Sequence, residues 1–171
     1  MSAMVGWFRV LGFGLLSLAL GWLAPAPVRA GAPDCGAIGD SPMGDATGGI
    51  HASVLVVLSP RMPYALQEWP RMKRAAGAAG FEVRAVRDPR VPASEWQAAV
   101  LTANQPDLSC IAVLDEARAV EMGVLHHAPS SVVSWCGRFH PWPIQGVMPD
   151  TFWVDLLRQR QAQLMEHTQC S

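Results

Sequence analysis

The run Ser53-Val54-Leu55-Val56-Val57-Leu58 constrains this chain more than any other segment. A strand with one wet face alternates apolar and polar residues, whereas an unbroken β-branched run has no wet face. It reads as a strand buried on both sides, as in a sheet sandwiched between helices. Its downstream flank agrees. Ser59-Pro60-Arg61-Met62-Pro63 is a turn, after which Leu66, Trp69, Met72 and Ala76 recur at helical spacing. The spacing predicts a helix from Pro63 to Ala79, with Pro63 in its first turn, a kink at Pro70 and Gly80 as its C-cap.

The alternation of strand and helix continues. Phe81 to Val86 alternates apolar and polar residues, which predicts a half-exposed strand. Ser94 with Gln97 has the form of a capping box, opening a helix to about Ala103 with Trp96 and Val100 inward. Ile111 to Leu114 is a short strand, and Asp115 caps a short helix that Gly123 closes. Ser131 to Trp135 is a strand, Cys136-Gly137 a turn, and Phe139 to Ile144 a partner strand. Asp150 caps a last helix to His167, with Trp153, Leu156, Leu157 and Leu164 buried. The order β-α-β-α-β-α-β-β-α makes parallel strands first and an antiparallel pair last. The expected architecture is α/β, a mixed sheet with helices on both faces.

An export signal precedes this domain. Arg9 is followed by the apolar run Val10 to Leu23, by Pro25 and Pro27, and by Val28-Arg29-Ala30. Charged start, apolar middle and small-x-Ala end make residues 1–30 a cleavable signal peptide. The apolar core is shorter than the ~20 residues of a spanning helix, so no stable membrane span is expected after cleavage. Residues 31–51 are rich in Gly, Pro, Asp and Ala without apolar period, and read as a flexible lead-in to a domain over 52–171. Cleavage removes Arg9 and Arg29, so basic residues fall from 13 to 11 against 14 acidic ones and the net charge becomes about −3. A weakly acidic domain without a basic run has no electrostatic case for binding nucleic acid. No glycine-rich phosphate loop is present, and no cofactor is expected. Cys35, Cys110, Cys136 and Cys170 all lie in the mature part. An even count in an oxidising compartment predicts disulfides, with three pairings open.

The segment Gly123-Val124-Leu125-His126-His127-Ala128-Pro129-Ser130-Ser131-Val132-Val133, with the turn at Gly137 and a helix after Gly146-Val147, resembles a part of the thioredoxin fold. There a cis-proline opens an antiparallel strand, and Pro129 matches it. Within that fold the chain resembles the TrbC family of F-type conjugative pilus assembly. Ser59-Pro60-Arg61-Met62-Pro63 is similar to its Ser-x-x-Met-Pro turn, and Ile111-Ala112-Val113-Leu114-Asp115 to its strand ending in Asp. The chain departs from that pattern at Glu116, where proline is expected, and from Cys136 to Met148. The resemblance implies a periplasmic component or assembly factor of a conjugative transfer (type IV secretion) apparatus. Its partners would be other conjugative transfer or pilus assembly proteins.

Thioredoxin chemistry needs two cysteines at the start of the first long helix, where the helix terminus lowers a thiol pKa. That place reads Met62-Pro63-Tyr64-Ala65. The domain is therefore expected to be redox-silent and not an enzyme. In the implied fold Cys110, Cys136 and Cys170 gather at the far end, with Cys110–Cys136 as the first pairing. The alternative is a thiol-disulfide exchange enzyme working through Cys136. Separately, Cys136 with His140 has the form of a nucleophile and base, although no third group orients such a pair. His126 and His127 are adjacent and point to opposite sides, and no cysteine or carboxylate stands at zinc spacing, so no metal is expected. Histidines here are read as surface or capping residues. Met62, Pro63, Tyr64, His127, Pro129 and Met148, with Pro149, should converge at the redox end as a partner-binding surface. Trp142, between Pro141 and Pro143, is the tryptophan expected to be exposed.

Overall fold

A computed structural model describes residues 52–62 and 64–168. The signal peptide, the whole lead-in, Pro63, Cys35 and Cys170 lie outside the described residues.

The apolar run forms β1 (Ser53–Leu58), with every residue from Val54 to Leu58 buried. Its side chains divide by parity, as strand geometry demands. Val54, Val56 and Leu58 enter one core with Leu66, Trp69, Met72, Trp96, Trp153 and Leu157. Leu55 and Val57 enter a second core with Val86, Leu114, Ala119, Met122 and Val132. The turn after β1 leads into α1 (Ala65–Ala78), a continuous helix with Pro70 inside it. Gly80, at φ +88°, turns the chain out of that helix, and the Phe81 N–H reaches back to the Ala76 carbonyl. β2 (Glu82–Arg87) then pairs with β1 in parallel, Ser53 opposite Glu82 and Leu58 opposite Arg87.

α2 (Ala93–Thr102) begins one residue before the expected cap. Pro92 occupies the N-cap position without a side-chain bond, so Ser94 lies inside the helix. Gln97 instead donates to the Ser109 carbonyl. The anticipated capping box is thus not formed, because proline's extended backbone already starts the helix. A 3₁₀ turn at Pro106–Leu108 follows. The expected strand over Ile111–Leu114 is reduced to one parallel bridge between Val113 and Arg87. α3 (Glu116–Glu121) is capped as expected, the Asp115 carboxylate accepting from the Arg118 N–H at 2.9 Å.

β3 (Ser130–Trp135) runs antiparallel to β1, with Val57 opposite Ser130 and Ser53 opposite Ser134. The strand expected from Phe139 to Ile144 is split into β4 (Arg138–Phe139) and β5 (Ile144–Gln145). Pro141 and Pro143 lack the N–H that a continuous ladder needs. Both short strands pair with β3. The sheet order is β2-β1-β3-β4, with β5 also on β3. α4 (Asp150–His167) closes the domain and buries Trp153, Leu157 and Leu164. Asp150 is its first helical residue rather than its cap, since Pro149 precedes it. α1, α2 and α4 supply residues to the core on one face of the sheet and α3 to the core on the other.

This is a thioredoxin-like mixed sheet: a parallel β-α-β half, then a strand antiparallel to β1 carrying its own hairpin partner. Because β1 serves both cores, truncating it should be costly. Leu58→Ala should destabilise the domain by about 2–5 kcal/mol. Leu101→Ala, at a side chain 82% exposed, should stay within about 0.5 kcal/mol. Urea unfolding of the two variants checks the contrast.

Candidate functional site

The pairing of Val57 with Ser130 sets the end of β1 beside the beginning of β3. The β1–α1 turn and the segment leading into β3 therefore share one end of the sheet. The Ala128–Pro129 bond there is cis, as the sequence predicts. Pro129 is buried, and its carbonyl accepts from the Gly146 N–H at 2.8 Å. Ala128 is half-buried, and neither its N–H nor its C=O is hydrogen-bonded among the described residues. Backbone groups of this kind carry an unmet demand for a partner.

The side chains expected here are placed as follows. Met62 is 38% exposed and Tyr64 67% exposed, both on the β1–α1 turn. His127 is exposed and Met148 half-buried. Met148 follows the Gly146 that bonds Pro129, and its carbonyl accepts from the Arg71 guanidinium at 3.1 Å. Arg71 also pairs with Glu68 on its own helix and with Asp150 at the start of α4. Five of the six expected residues thus come to one end of the sheet, and Pro63 lies outside the described residues. Beside them, a groove of about 300 Å³ between α1 and α2 is lined by Pro60, Met62, Leu66, Ala98, Ala99 and Thr102.

A charge network braces this end. Asp88 follows β2 and is 2% exposed. Its carboxylate accepts from the Arg90 backbone N–H at 3.0 Å and from the Arg90 guanidinium at 2.9 and 2.8 Å. The same guanidinium donates to the Leu125 carbonyl, three residues before Ala128. Arg61, on the β1–α1 turn, donates to the Arg90 carbonyl and pairs with Glu95 on α2. The β1–α1 turn, the β2–α2 loop and the approach to β3 are so tied together.

Burial alone would raise the Asp88 pKa, but the Arg90 guanidinium and N–H, with the Ser59 hydroxyl, hold it below the ordinary carboxylate value. The folded pKa is lower than the unfolded one. The stabilisation is therefore full above about pH 4 and lost as pH falls through the folded value. Asp88→Asn should cost about 1–2 kcal/mol at pH 7, the lower part of the range for a charged hydrogen bond because Arg90 is half-exposed. Urea unfolding should show that gap narrowing at pH 3, and an equal gap at both pH values would contradict this role for Asp88.

Elsewhere the structure revises the expectations. His140 is buried rather than a surface residue. Its Nδ1 accepts from the Trp142 N–H at 3.1 Å and its Nε2 meets the Gln163 side-chain oxygen at 2.8 Å. Both ring nitrogens are engaged, which removes His140 as a base for Cys136. Trp142 itself is 66% exposed, as expected. Cys110 and Cys136 are both disulfide-bonded. Cys110 precedes the Val113 bridge beyond β2 and Cys136 follows β3, so β2 and β1 lie between these two stretches of chain. The Asp88–Arg90–Arg61–Glu95 network was not anticipated, since Asp88-Pro89-Arg90 carries only a loop signal.

Three solved structures are among those similar to this chain. A thioredoxin-like protein from Neisseria meningitidis is 17% identical, with a TM-score of 0.46 over 72% of this chain and 79% of that one. MTB DsbF, solved in mixed oxidised and reduced forms, is 15% identical, with a TM-score of 0.44 over 66% of this chain and 81% of that one. A secreted Mycobacterium tuberculosis disulfide oxidoreductase homologous to Escherichia coli DsbE is 17% identical, with a TM-score of 0.40 over 66% of this chain and 81% of that one. No protein-family model and no curated protein matches the chain. The resemblance to the TrbC family is accordingly not supported, and nothing in these comparisons supports a conjugative role. Nothing in these comparisons supports the expectation that the domain is not an enzyme either: two of the solved structures are described as a disulfide oxidoreductase and as a protein in mixed oxidised and reduced forms.

Proposed function

We propose that this is an exported thioredoxin-fold protein that holds an extended segment of a partner polypeptide at the Ala128 end of its sheet. The observation that carries this reading is the half-buried Ala128, whose N–H and C=O are left without hydrogen bonds among the described residues. An extended chain laid beside it would satisfy both groups, and exposed Tyr64 and Met62 would supply the amphipathic contacts. The periplasm as the place of work rests on the export pattern of residues 1–30. A partner from a conjugative transfer apparatus is the finer form of the same reading, and it rests on the three short motifs alone. A photo-crosslinking residue at Tyr64 should yield discrete polypeptide adducts in the native cell, while one at Val120, exposed on α3, should not. The same adducts from both positions would sink the proposal.

A second reading, thiol-disulfide exchange through Cys136, is favoured by one feature of the turn between β3 and β4. Cys136 is half-buried, disulfide-bonded and at φ +49°, a conformation that disfavours any residue with a Cβ. A disulfide anchored there can serve as an oxidant. A substrate thiolate attacks one sulfur, the other leaves as a thiolate, and a second substrate thiolate resolves the mixed disulfide. The substrate gains a disulfide and this protein becomes a dithiol. Exposed or strained disulfides are more oxidising than structural ones. Titration against glutathione should then give a reduction potential well above about −300 mV, and a lower value removes this reading.

A further inference from the structure

We propose that the β4–β5 segment and the second half of α4 form a docking site for an acidic segment of a partner polypeptide, with Trp142 as its apolar anchor and Arg160 as its charge anchor. The site lies at the sheet edge beyond β3. It does not depend on the Ala128 end of the sheet.

The indole is presented on a fixed mount. Trp142 is 66% exposed and stands between Pro141 and Pro143, whose rings fix their own φ angles. Its backbone N–H donates to Nδ1 of the buried His140 at 3.1 Å. Nδ1 is therefore the bare nitrogen, and Nε2 carries the proton that it donates to the Gln163 side-chain oxygen at 2.8 Å. The His140 backbone N–H donates to the Val133 carbonyl. A large apolar ring is thus held in water by a buried network rooted in α4 and β3. Little further ordering is needed on binding, and tryptophan and arginine are among the side chains that dominate interface energies.

The charge on the same network is unmatched. The Gln163 oxygen also accepts from the Arg160 guanidinium at 3.1 Å. Arg160 is half-buried, and its Nε is buried without a hydrogen-bond partner among the described residues. Arg138, opposite Trp135 of β3, lies on the same face as His140 two residues on. Neither arginine takes part in an ion pair among the described residues. Asp155 of α4 is paired with Arg158. A half-buried guanidinium that meets only a neutral amide keeps its demand for an anion, and a carboxylate matches its fork. The linked Trp142 and Arg160 therefore suit a segment that carries an acidic and an apolar side chain close together.

A polypeptide fits this site better than an anionic membrane. A side-chain carboxylate can reach a half-buried guanidinium, whereas a flat headgroup surface meets only exposed charge. A mature domain of net charge about −3 is also repelled by such a surface.

Fluorescence-anisotropy titration of two labelled peptides into the mature protein tests the site. One peptide repeats Glu-Leu-Ser and the other Gln-Leu-Ser. The acidic peptide should bind and the neutral one should not. Trp142→Ala and Arg160→Gln should each weaken binding about tenfold, the scale of an interface hot spot. Val120→Ala, on α3, should leave it unchanged. Trp142 is exposed, so its truncation leaves the core intact and separates lost docking from lost folding. Equal binding of the two peptides, no binding of the acidic one, or binding unchanged in either variant would overturn the proposal. So would binding to vesicles of phosphatidylglycerol that Trp142→Ala abolishes, since the site would then be a membrane anchor.

Discussion

Every other element of this domain is placed by the burial of β1 on both faces. A strand of Val54 to Leu58 with no wet side must be covered twice, and the parity of its side chains supplies two cores. One core receives α1, α2 and α4, and the other receives α3. Fully burying one such aliphatic side chain stabilises by roughly 1.5–3 kcal/mol, so the five buried residues of β1 outweigh any surface pair in the molecule. The strand is also the geometric reference. Parallel pairing with β2 and antiparallel pairing with β3 fix which loops meet at its end.

The loops that meet there are the candidate site. Its side chains come from the β1–α1 turn and from the segments before β3 and α4, which are distant in sequence. They are held by ionic clasps of modest individual strength: Arg71 between α1 and α4, and Arg90 with Arg61 between the β2–α2 loop, α2 and the approach to β3. Asp88 is the buried member of the second clasp, and its carboxylate is fully occupied by Arg90. That bracing holds the segment carrying Ala128, so the proposed docking of an extended chain would need less ordering on binding.

Much of the fold was legible in the sequence because its signals were local and concordant. The unbroken run of β1, the periodic face of α1, the Asp115 cap and the Pro129 segment each specify a conformation within a few residues. The readings that failed required knowledge of distant partners. Gln97 was read as half of a capping box, yet its amide is used across a loop by Ser109. Ile111 to Leu114 has strand composition but only a single bridge, at the edge of β2. The exposed Tyr64 and Met62 could be placed from the turn alone. The burial of His140 and of Asp88 could not, because each depends on a residue that folding alone brings close. The positions of Cys110 and Cys136 in the sheet were equally illegible, since spacing in sequence carries no record of the two strands between them.

The Ala128 backbone is left without hydrogen bonds among the described residues, next to the fully paired β1 and β3. Residue-resolved amide hydrogen exchange of the free mature protein tests this most directly. Protection should be greatest from Val54 to Leu58 and strong through Ser131 to Ser134, with the Ala128 amide exchanging close to the rate of an unprotected chain. An Ala128 amide as protected as that of Val56 would contradict the open edge and the partner-holding role built on it.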